Sequence, residues 1–242
     1  MKTIEASWEK RNVGVECFEI EIGKSDTVSE VLSIIHSRPE KYFVAKVLAG
    51  RTDILLALQA DGFQFIETNI QTEIALTEKP APPSKCANLI RYAGYHIGND
   101  DEVKFAIDEI RKGTIFATDK VALDPFFSQR IAGQRYAFWS EDVMQSGKAK
   151  MIITEYNGDN VGFNIIIDKG KYYDGFLGGL YTEYLNSGLG FANVNAAVNA
   201  VFDLGGRKMI SGVSSNNFQM LKLHMMFGLK IKKLTYNLIK HM

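Results

Sequence analysis

One stretch in the last third of the chain decides the fold: Gly178-Gly179-Leu180-Tyr181-Thr182-Glu183-Tyr184-Leu185-Asn186-Ser187-Gly188-Leu189-Gly190-Phe191-Ala192. Its first residues predict the end of a strand, and the Ala-rich residues that follow Gly190 predict a helix. Gly188 and Gly190 allow a tight turn between the two and let a ligand approach the backbone. The first N–H groups of a helix have no partner within it, so the turn predicts a phosphate or diphosphate site. A turn that needs glycine for steric reasons alone is the alternative.

The residues before this stretch predict three strands, Lys150–Tyr156, Val161–Asp168 and Lys171–Thr182. Asn157-Gly158 separates the first two, and an Asn-Gly pair between apolar runs is a strong hairpin signal. A Walker loop is excluded, because no Gly-Lys-Ser/Thr follows the glycines. A dinucleotide fingerprint is disfavoured, since that motif belongs to the first βαβ unit of a parallel sheet, whereas this turn follows an antiparallel meander.

The residues after the glycine turn carry a second motif. Asn217 begins a predicted helix that runs to Phe227 and is followed by Gly228-Leu229. Together with Leu185-x-x-Gly188-x-Gly190, this spacing resembles the GCN5-related N-acetyltransferases over about residues 88–242. The resemblance implies their α/β fold, of the α+β type, with a mixed central sheet flanked by helices. It also implies acetyl-CoA as the acetyl donor, with no metal.

The resemblance assigns cofactor-binding positions to this chain. The strand end would hold the pantetheine and thioester, with the thioester oxygen accepting from the backbone around Tyr181, and the turn would hold the diphosphate. Asn217 would contact the pantetheine or its phosphate, or would serve only as a helix N-cap. The full set is Leu180, Tyr181, Thr182, Ser187, Gly188, Leu189, Gly190, Phe191, Ala192 and Asn217.

Three positions depart from the family pattern. Leu185 replaces the usual Gln or Arg of the loop, Met220 replaces an alanine, and His224 replaces a tyrosine that is proposed to protonate the departing thiolate. A histidine can donate that proton only in its charged form. Two roles therefore stay open for His224: the general acid, or a hydrogen-bonding wall residue with water as the acid.

The base that accepts the proton of the amine is predicted less directly. Glu67, after a Gly-Phe strand in the N-terminal part, and Glu183, near the end of the cofactor strand, are the candidates, with Glu67 preferred. No cysteine or serine is paired with a base, so we expect direct transfer in a ternary complex rather than a covalent intermediate.

A narrower resemblance concerns the acceptor. Phe116-Ala117-Thr118-Asp119-Lys120, Asp124-Pro125-Phe126-Phe127 and Tyr136-x-x-Trp139 look like the two-helix region of the dTDP-fucosamine acetyltransferase group. This implies a nucleotide-linked deoxy amino sugar as the acceptor, contacted by Phe126, Phe127, Tyr136 and Tyr173. Two alternatives stay open: another amine, such as a protein N-terminus, a polyamine or an antibiotic, or an acyl-CoA-binding module without turnover.

Three of the five prolines, Pro80, Pro82 and Pro83, lie together and predict a linker. We therefore expect two domains, a small α/β domain over residues 1–86 that shapes the acceptor site and an acetyltransferase domain over residues 87–242. In the first, Val28–His36 is a predicted helix, and Tyr42–Leu48 is a predicted strand. In the second, Asn88–Tyr95 is a predicted strand.

Composition limits the class of protein. The 242 residues include 28 Lys and Arg against 28 Asp and Glu, and neither part is strongly basic, which argues against nucleic acid as a partner. Two cysteines make neither a disulfide scaffold nor a zinc cluster. No apolar run reaches the length that spans a bilayer, and the charged residues Met1 to Asn12 lack the apolar stretch of a signal peptide. We expect a cytoplasmic protein without a membrane partner, for which a homodimer is allowed.

Overall fold

The computed structural model describes residues Met1–Met242. Its N-terminal part contains β1 (Lys2–Ala6), α1 (Trp8–Val13), β2 (Cys17–Ile22), α2 (Val28–His36), β3 (Tyr42–Leu48), α3 (Thr52–Ala60) and β4 (Gln64–Ala75). After the proline segment come α4 (Ala87–Ile90), β5 (Ala93–Ile97), α5 (Asp100–Arg111), α6 (Lys120–Leu123), α7 (Gln129–Gln145), β6 (Ala149–Tyr156), β7 (Asp159–Asp168), β8 (Tyr173–Leu180), α8 (Gly190–Asp203), β9 (Lys208–Ser214), α9 (Phe218–Met226) and β10 (Lys230–His241). The predicted mixed α/β architecture is confirmed.

All ten strands belong to a single sheet, in the order β1-β2-β3-β10-β4-β9-β8-β7-β6-β5. Most neighbours are antiparallel, whereas β2 with β3 and β8 with β9 are parallel. The meander β6-β7-β8 has the predicted hairpin, in which Asn157 and Gly158 both adopt positive φ angles, as a tight hairpin turn requires. The element predicted at Asn88–Tyr95 is wrong in part, because helix α4 covers its first half and β5 begins only at Ala93.

Strands from the two predicted domains alternate in this sheet. β4 pairs with β9 through Asn69–Ala75 and with β10 along most of its length, so it joins the two parts by main-chain hydrogen bonds. A buried ion pair between Glu9 on α1 and Arg135 on α7 joins them again above the sheet. The division at residue 86 stays a prediction about folding units, since the proline segment links strands of one sheet.

Helix α8 is the central helix of the C-terminal part. Every residue from Phe191 to Val201 is buried, which explains why its sequence is apolar on all sides apart from three asparagines. Asn193 satisfies its polar atoms in a buried network: Thr154 donates to its Oδ1 at 2.7 Å, and Asn164 donates to the same atom at 3.0 Å. This network fixes the first turn of α8 against β6 and β7, and thereby places the glycine turn.

Candidate functional site

The site begins where two parallel strands separate. β8 pairs with β9 only over Tyr173–Gly175, opposite Met209–Ser211. Beyond these residues β8 stays paired with β7 as far as Leu180, while β9 stays paired with β4 as far as Ser214. The edges of the two strands that face each other are therefore left without main-chain partners, and a groove opens between them.

The alternation of hydrogen bonds identifies the free groups on β8. The amide of Tyr181 donates to the carbonyl of Val161 on β7 at 2.9 Å. Because neighbouring residues of a strand point their main-chain groups to opposite sides, the amides of Gly178 and Leu180 face the groove. The Thr182 amide is also occupied, since it donates to Oε2 of Glu109 at 2.9 Å. Among the strand-end residues predicted to bind the cofactor, Leu180 rather than Tyr181 or Thr182 presents a free amide.

Gly178 and Gly179 of β8 lie where there is no space for a side chain. A Cβ at Gly178 would lie 2.4 Å from Oδ1 of Asn164, and a Cβ at Gly179 would lie 2.4 Å from Cγ2 of Ile115. The strand is thus held between the asparagine network on one face and the α5–α6 connection on the other. A ligand that lies along its free edge can approach the backbone closely.

The glycine turn supplies further free donors. The amides of Ser187 and Ala192 donate to main-chain carbonyls, and that of Leu189 donates to Oγ of Ser187. The amides of Gly188, Gly190 and Phe191 have no acceptor within the protein, and no side chain caps the start of α8. Of the six residues predicted for this loop, half offer a free N–H at a helix start, which is the arrangement that favours an anion.

Asn217 has the capping role predicted for it. Its Oδ1 accepts from the amide of Met220 at 3.1 Å, and its side chain also lines the groove. The predicted contact with a ligand is left as a prediction.

The groove has a volume of about 990 Å³ and is lined by residues from both parts of the chain. One side is formed by β8, α8, β9 and α9. The opposite side is formed by β4, β10 and the segment from Ile115 to Lys120, with Tyr136 and Trp139 from α7. The last residues of β8 adjoin this second part of the groove, which is named the acceptor chamber after the acceptor predicted from the sequence.

His224 lies on α9 and is 6% exposed. Its Nδ1 is 2.9 Å from Oγ1 of Thr72, and that hydroxyl itself donates to the carbonyl of Ser211 at 3.3 Å. The direction of the hydrogen bond between Nδ1 and this hydroxyl depends on the tautomer of the imidazole, and the tautomer with its proton on Nδ1 leaves Nε2 as an acceptor. Burial lowers the pKa of His224 to about 4, so the ring is neutral at physiological pH. This state favours a hydrogen-bonding wall residue over a general acid.

Glu67 lies on β4 and is 3% exposed. Its Oε1 accepts from Asn237 at 2.8 Å, whereas its Oε2 is buried without a hydrogen-bond partner. Burial, followed by the negative charge of Asp119, raises the pKa of Glu67. A buried carboxylate with a raised pKa and a free oxygen at the groove has the properties of a general base. Glu183, the other candidate, is exposed in the turn after β8.

The residues predicted to contact the acceptor substrate do not all lie at one site. Tyr136 lines the groove, but Phe126, Phe127 and Tyr173 do not. Phe126 is 61% exposed and stacks on His241, and Phe127 packs against Tyr42. No role was predicted from the sequence for the charged residues Asp119, Lys120 and Arg135, which line the acceptor chamber.

No group of three or more His, Cys, Asp and Glu side chains is arranged to hold a metal ion. None of the helices combines the length and apolar character needed to cross a bilayer.

Comparison of the whole structure with solved structures decides the fold. A GCN5-related N-acetyltransferase from Sphaerobacter thermophilus superposes with a TM-score of 0.58 at 12% identity, over 88% of this chain and 64% of its own. A conserved protein of unknown function from Staphylococcus epidermidis superposes with a TM-score of 0.62 at 13% sequence identity, over 96% of this chain and 87% of its own. A glucosamine N-acetyltransferase region of a fungal multi-domain β-N-acetylglucosaminidase superposes with a TM-score of 0.55 at 11% sequence identity, over 81% of this chain and 25% of that protein.

The chain has the fold of the GCN5-related N-acetyltransferases. No protein-family profile and no curated sequence matches it, so at these identities the likeness is one of fold. The diverging strands β8 and β9, with the glycine turn before α8, occupy the middle of this acetyltransferase fold. The chain spans less than two thirds of the Sphaerobacter structure.

The buried neutral state of His224 predicts a pH dependence of stability. The pKa of this side chain is lower in the folded chain, about 4, than its ordinary value of 6.5. Below pH 6.5 the unfolded chain binds a proton that the folded chain refuses, so the stabilisation present above pH 6.5 is lost as the pH falls towards 4. The loss amounts to about 3 kcal/mol. Thermal unfolding of His224→Gln should therefore depend less on pH than that of the unaltered protein between pH 6.5 and 4. Parallel pH curves for the two proteins would contradict the burial of a neutral ring.

Proposed function

We propose that the protein is an acetyl-CoA-dependent N-acetyltransferase that transfers the acetyl group directly to a primary amine. The observation that carries the proposal is the groove between β8 and β9, whose wall presents the unused amides of Gly178 and Leu180. The free amides of the glycine turn lie where this wall ends. Together these donors match a carrier that has amide groups along its length and a diphosphate near its end.

The carrier would bind almost entirely through the main chain. The diphosphate would accept from Gly188, Gly190 and Phe191 at the start of α8, where the helix dipole favours negative charge. No Lys or Arg lies between Gly178 and Gly190, so these amides take the place of a basic side chain. The pantetheine amides would pair with the free edge of β8 as an added strand does.

The chemistry needs a neutral amine, a polarised carbonyl and a proton for the sulfur. Glu67 would accept the proton of the ammonium through its free Oε2, since its raised pKa brings it closer to that of a useful base. The amide of Leu180 would donate to the thioester oxygen as it becomes negative during attack. The carbon–sulfur bond then breaks, and the electron pair leaves with the thiolate of coenzyme A.

His224 would act on the leaving group as a neutral residue. Since its pKa is about 4, the charged acid is scarce at pH 7. We assign it the alternative role of a wall residue whose Nε2 accepts a hydrogen bond from the carrier or from a water molecule. The thiolate has a pKa of roughly 8.5 and can take its proton from water.

The acceptor that we propose is the amino group of a deoxy amino sugar, linked to a nucleotide. Tyr136 and Trp139 provide aromatic surface in the acceptor chamber, and the exposed Lys2 and Lys233 line the groove. Exposed basic residues suit the phosphates of a nucleotide, while the chamber takes the sugar. In this arrangement residues 1–86 shape the acceptor site, because β4 supplies Glu67, Asn69 and Gln71 to its wall. A non-catalytic acyl-CoA-binding module is the second candidate, favoured by the neutral His224.

Gly188→Glu tests the diphosphate site. Gly188 has a φ of +83°, which strains any side chain, but the space around the position of a Cβ is open, so a carboxylate there would face the free amides without a clash. We expect acetyl-CoA affinity to fall at least about a hundredfold in isothermal titration calorimetry, since like charges repel at the diphosphate site. Gly188→Asn is the matched control, because asparagine tolerates this backbone conformation and carries no charge. Equal affinities for the two variants would refute the assignment.

Glu67→Gln tests the base. The glutamine side chain keeps the size of the glutamate and its hydrogen bond with Asn237, but it cannot accept the proton of the ammonium. With an amino-sugar nucleotide as acceptor, kcat for thiol release should fall by about 10² to 10⁴, while the KM for acetyl-CoA stays within a few-fold. An unchanged kcat would remove Glu67 from the mechanism. If the unaltered protein binds acetyl-CoA but no amine promotes the release of thiol from it, the non-catalytic binding module is the correct interpretation.

A further inference from the structure

The acceptor chamber contains buried polar atoms that the protein leaves without partners. Oε2 of Glu67 is one, and the hydroxyl of Tyr136, which is 2% exposed, is another. Both side chains line the same groove. A buried polar group without a hydrogen bond costs free energy, so two such groups facing one chamber indicate a ligand that supplies the missing bonds.

Asp119 adds a third acceptor beside them. Its Oδ1 accepts from the amide of Val121 at the start of α6, and its carboxylate lies near enough to the Tyr136 hydroxyl to receive that proton. It lines the groove, and its charge contributes to the raised pKa values of both Glu67 and Tyr136. The three side chains therefore lie near one another in one part of the groove.

The charges around Glu67, Tyr136 and Asp119 indicate the charge of the ligand group that would bind there. Arg135 is paired with Glu9, and both Lys46 and Lys120 are paired with Glu19, at 2.5 and 3.4 Å. No basic side chain lies within salt-bridge distance of Glu67 or Asp119. Lys46, Lys120 and Arg135 are thus paired with other carboxylates, although Nη1 of Arg135 has no acceptor. Glu67 and Asp119 are left without a cationic partner.

We propose that Asp119, Tyr136 and Glu67 together form the subsite for the protonated amino group of the acceptor. A primary ammonium has three N–H donors, and the site offers three acceptors: Oδ2 of Asp119, the Tyr136 hydroxyl and Oε2 of Glu67. Asp119 and Tyr136 hold the nitrogen in place, and Glu67 then takes one of its protons. The step converts the ammonium and the carboxylate into a neutral amine and a carboxylic acid, with no other reactant. This inference rests on the proposed function and extends it to the recognition of the acceptor.

The subsite has a consequence for specificity. An acceptor with a hydroxyl in place of the ammonium has one donor instead of three and no charge, so it would leave acceptors of the subsite unpaired. We therefore expect the protein to bind cationic amino sugars and to discriminate against their hydroxyl analogues.

Equilibrium binding of glucosamine and glucose, followed by the fluorescence of Trp139 and Trp8 or by calorimetry, tests the subsite. The two sugars differ by the amino group, and the unaltered protein should bind glucosamine at least about tenfold more tightly. Asp119→Asn removes the charge but keeps an N-cap for α6, and Tyr136→Phe removes only the hydroxyl. Each variant should weaken glucosamine binding by roughly tenfold or more, leave acetyl-CoA affinity unchanged, and keep its thermal midpoint within a few degrees.

The outcomes separate the subsite from the proposed function. Equal binding of the two sugars to the unaltered protein, or full glucosamine affinity in Asp119→Asn, would overturn the subsite. Loss of acetyl-CoA binding in the unaltered protein, with sugar discrimination intact, would overturn the acetyltransferase instead. A readout specific to charge completes the test: the acidic limb of the pH dependence of amine binding should move to lower pH in Asp119→Asn. The charged groups that face Glu67 are Asp119 and Lys120.

Discussion

The early separation of β8 from β9 is the constraint on which the remaining features of the site depend. The two strands share three residue pairs, after which an irregularity opposite Ile165 and Ile166 of β7 changes the course of β8. A bulge of this kind adds local twist and bends the strand away from its neighbour. Because both strands stay hydrogen-bonded on their outer sides, the gap cannot close again, and it exposes main-chain donors inside the sheet. A sheet normally has such donors only at its edges.

The buried asparagine network and the separation of the strands act together. Asn193 binds α8 to β6 and β7, so the helix starts directly beyond the end of β8. Gly178 is in contact with the same network, which leaves no room for a side chain there. The free amides of the strand and those of the helix start are consequently parts of one wall. A half-satisfied network would be costly in so buried a place, and here the Asn193 and Asn164 amides are both bonded.

The elements that the sequence predicted are those with local signals. Helix α2 has the predicted bounds Val28–His36, and its Thr27 and Glu30 form a capping box. The hairpin at Asn157-Gly158 follows from the positive φ angles that such a pair tolerates. In contrast, β1 and α1 were not predicted, since their charged residues carry no clear period and their stability comes from pairing with β2 and from the Arg135–Glu9 bond.

The site was predictable to the extent that it is made of contiguous residues. The glycine turn and the Asn217 cap are local motifs, and Glu67 follows a recognisable strand. Asp119 was quoted within a family motif but was given no role of its own, because an aspartate before a short helix is typical of an ordinary N-cap. Its second role arises only because α6 and β4 enclose the same chamber. The insertion of β4 and β10 side by side between β3 and β9 likewise depends on pairing across the whole chain, which no local pattern encodes.

Amide-resolved hydrogen exchange, measured with and without acetyl-CoA, tests the central claim most directly. We expect the ligand to slow exchange at Gly178, Leu180, Gly188, Gly190 and Phe191, whose amides have no acceptor in the protein, while the bonded amide of Tyr181 changes little. Bound acetyl-CoA that leaves the first five amides unprotected would contradict it.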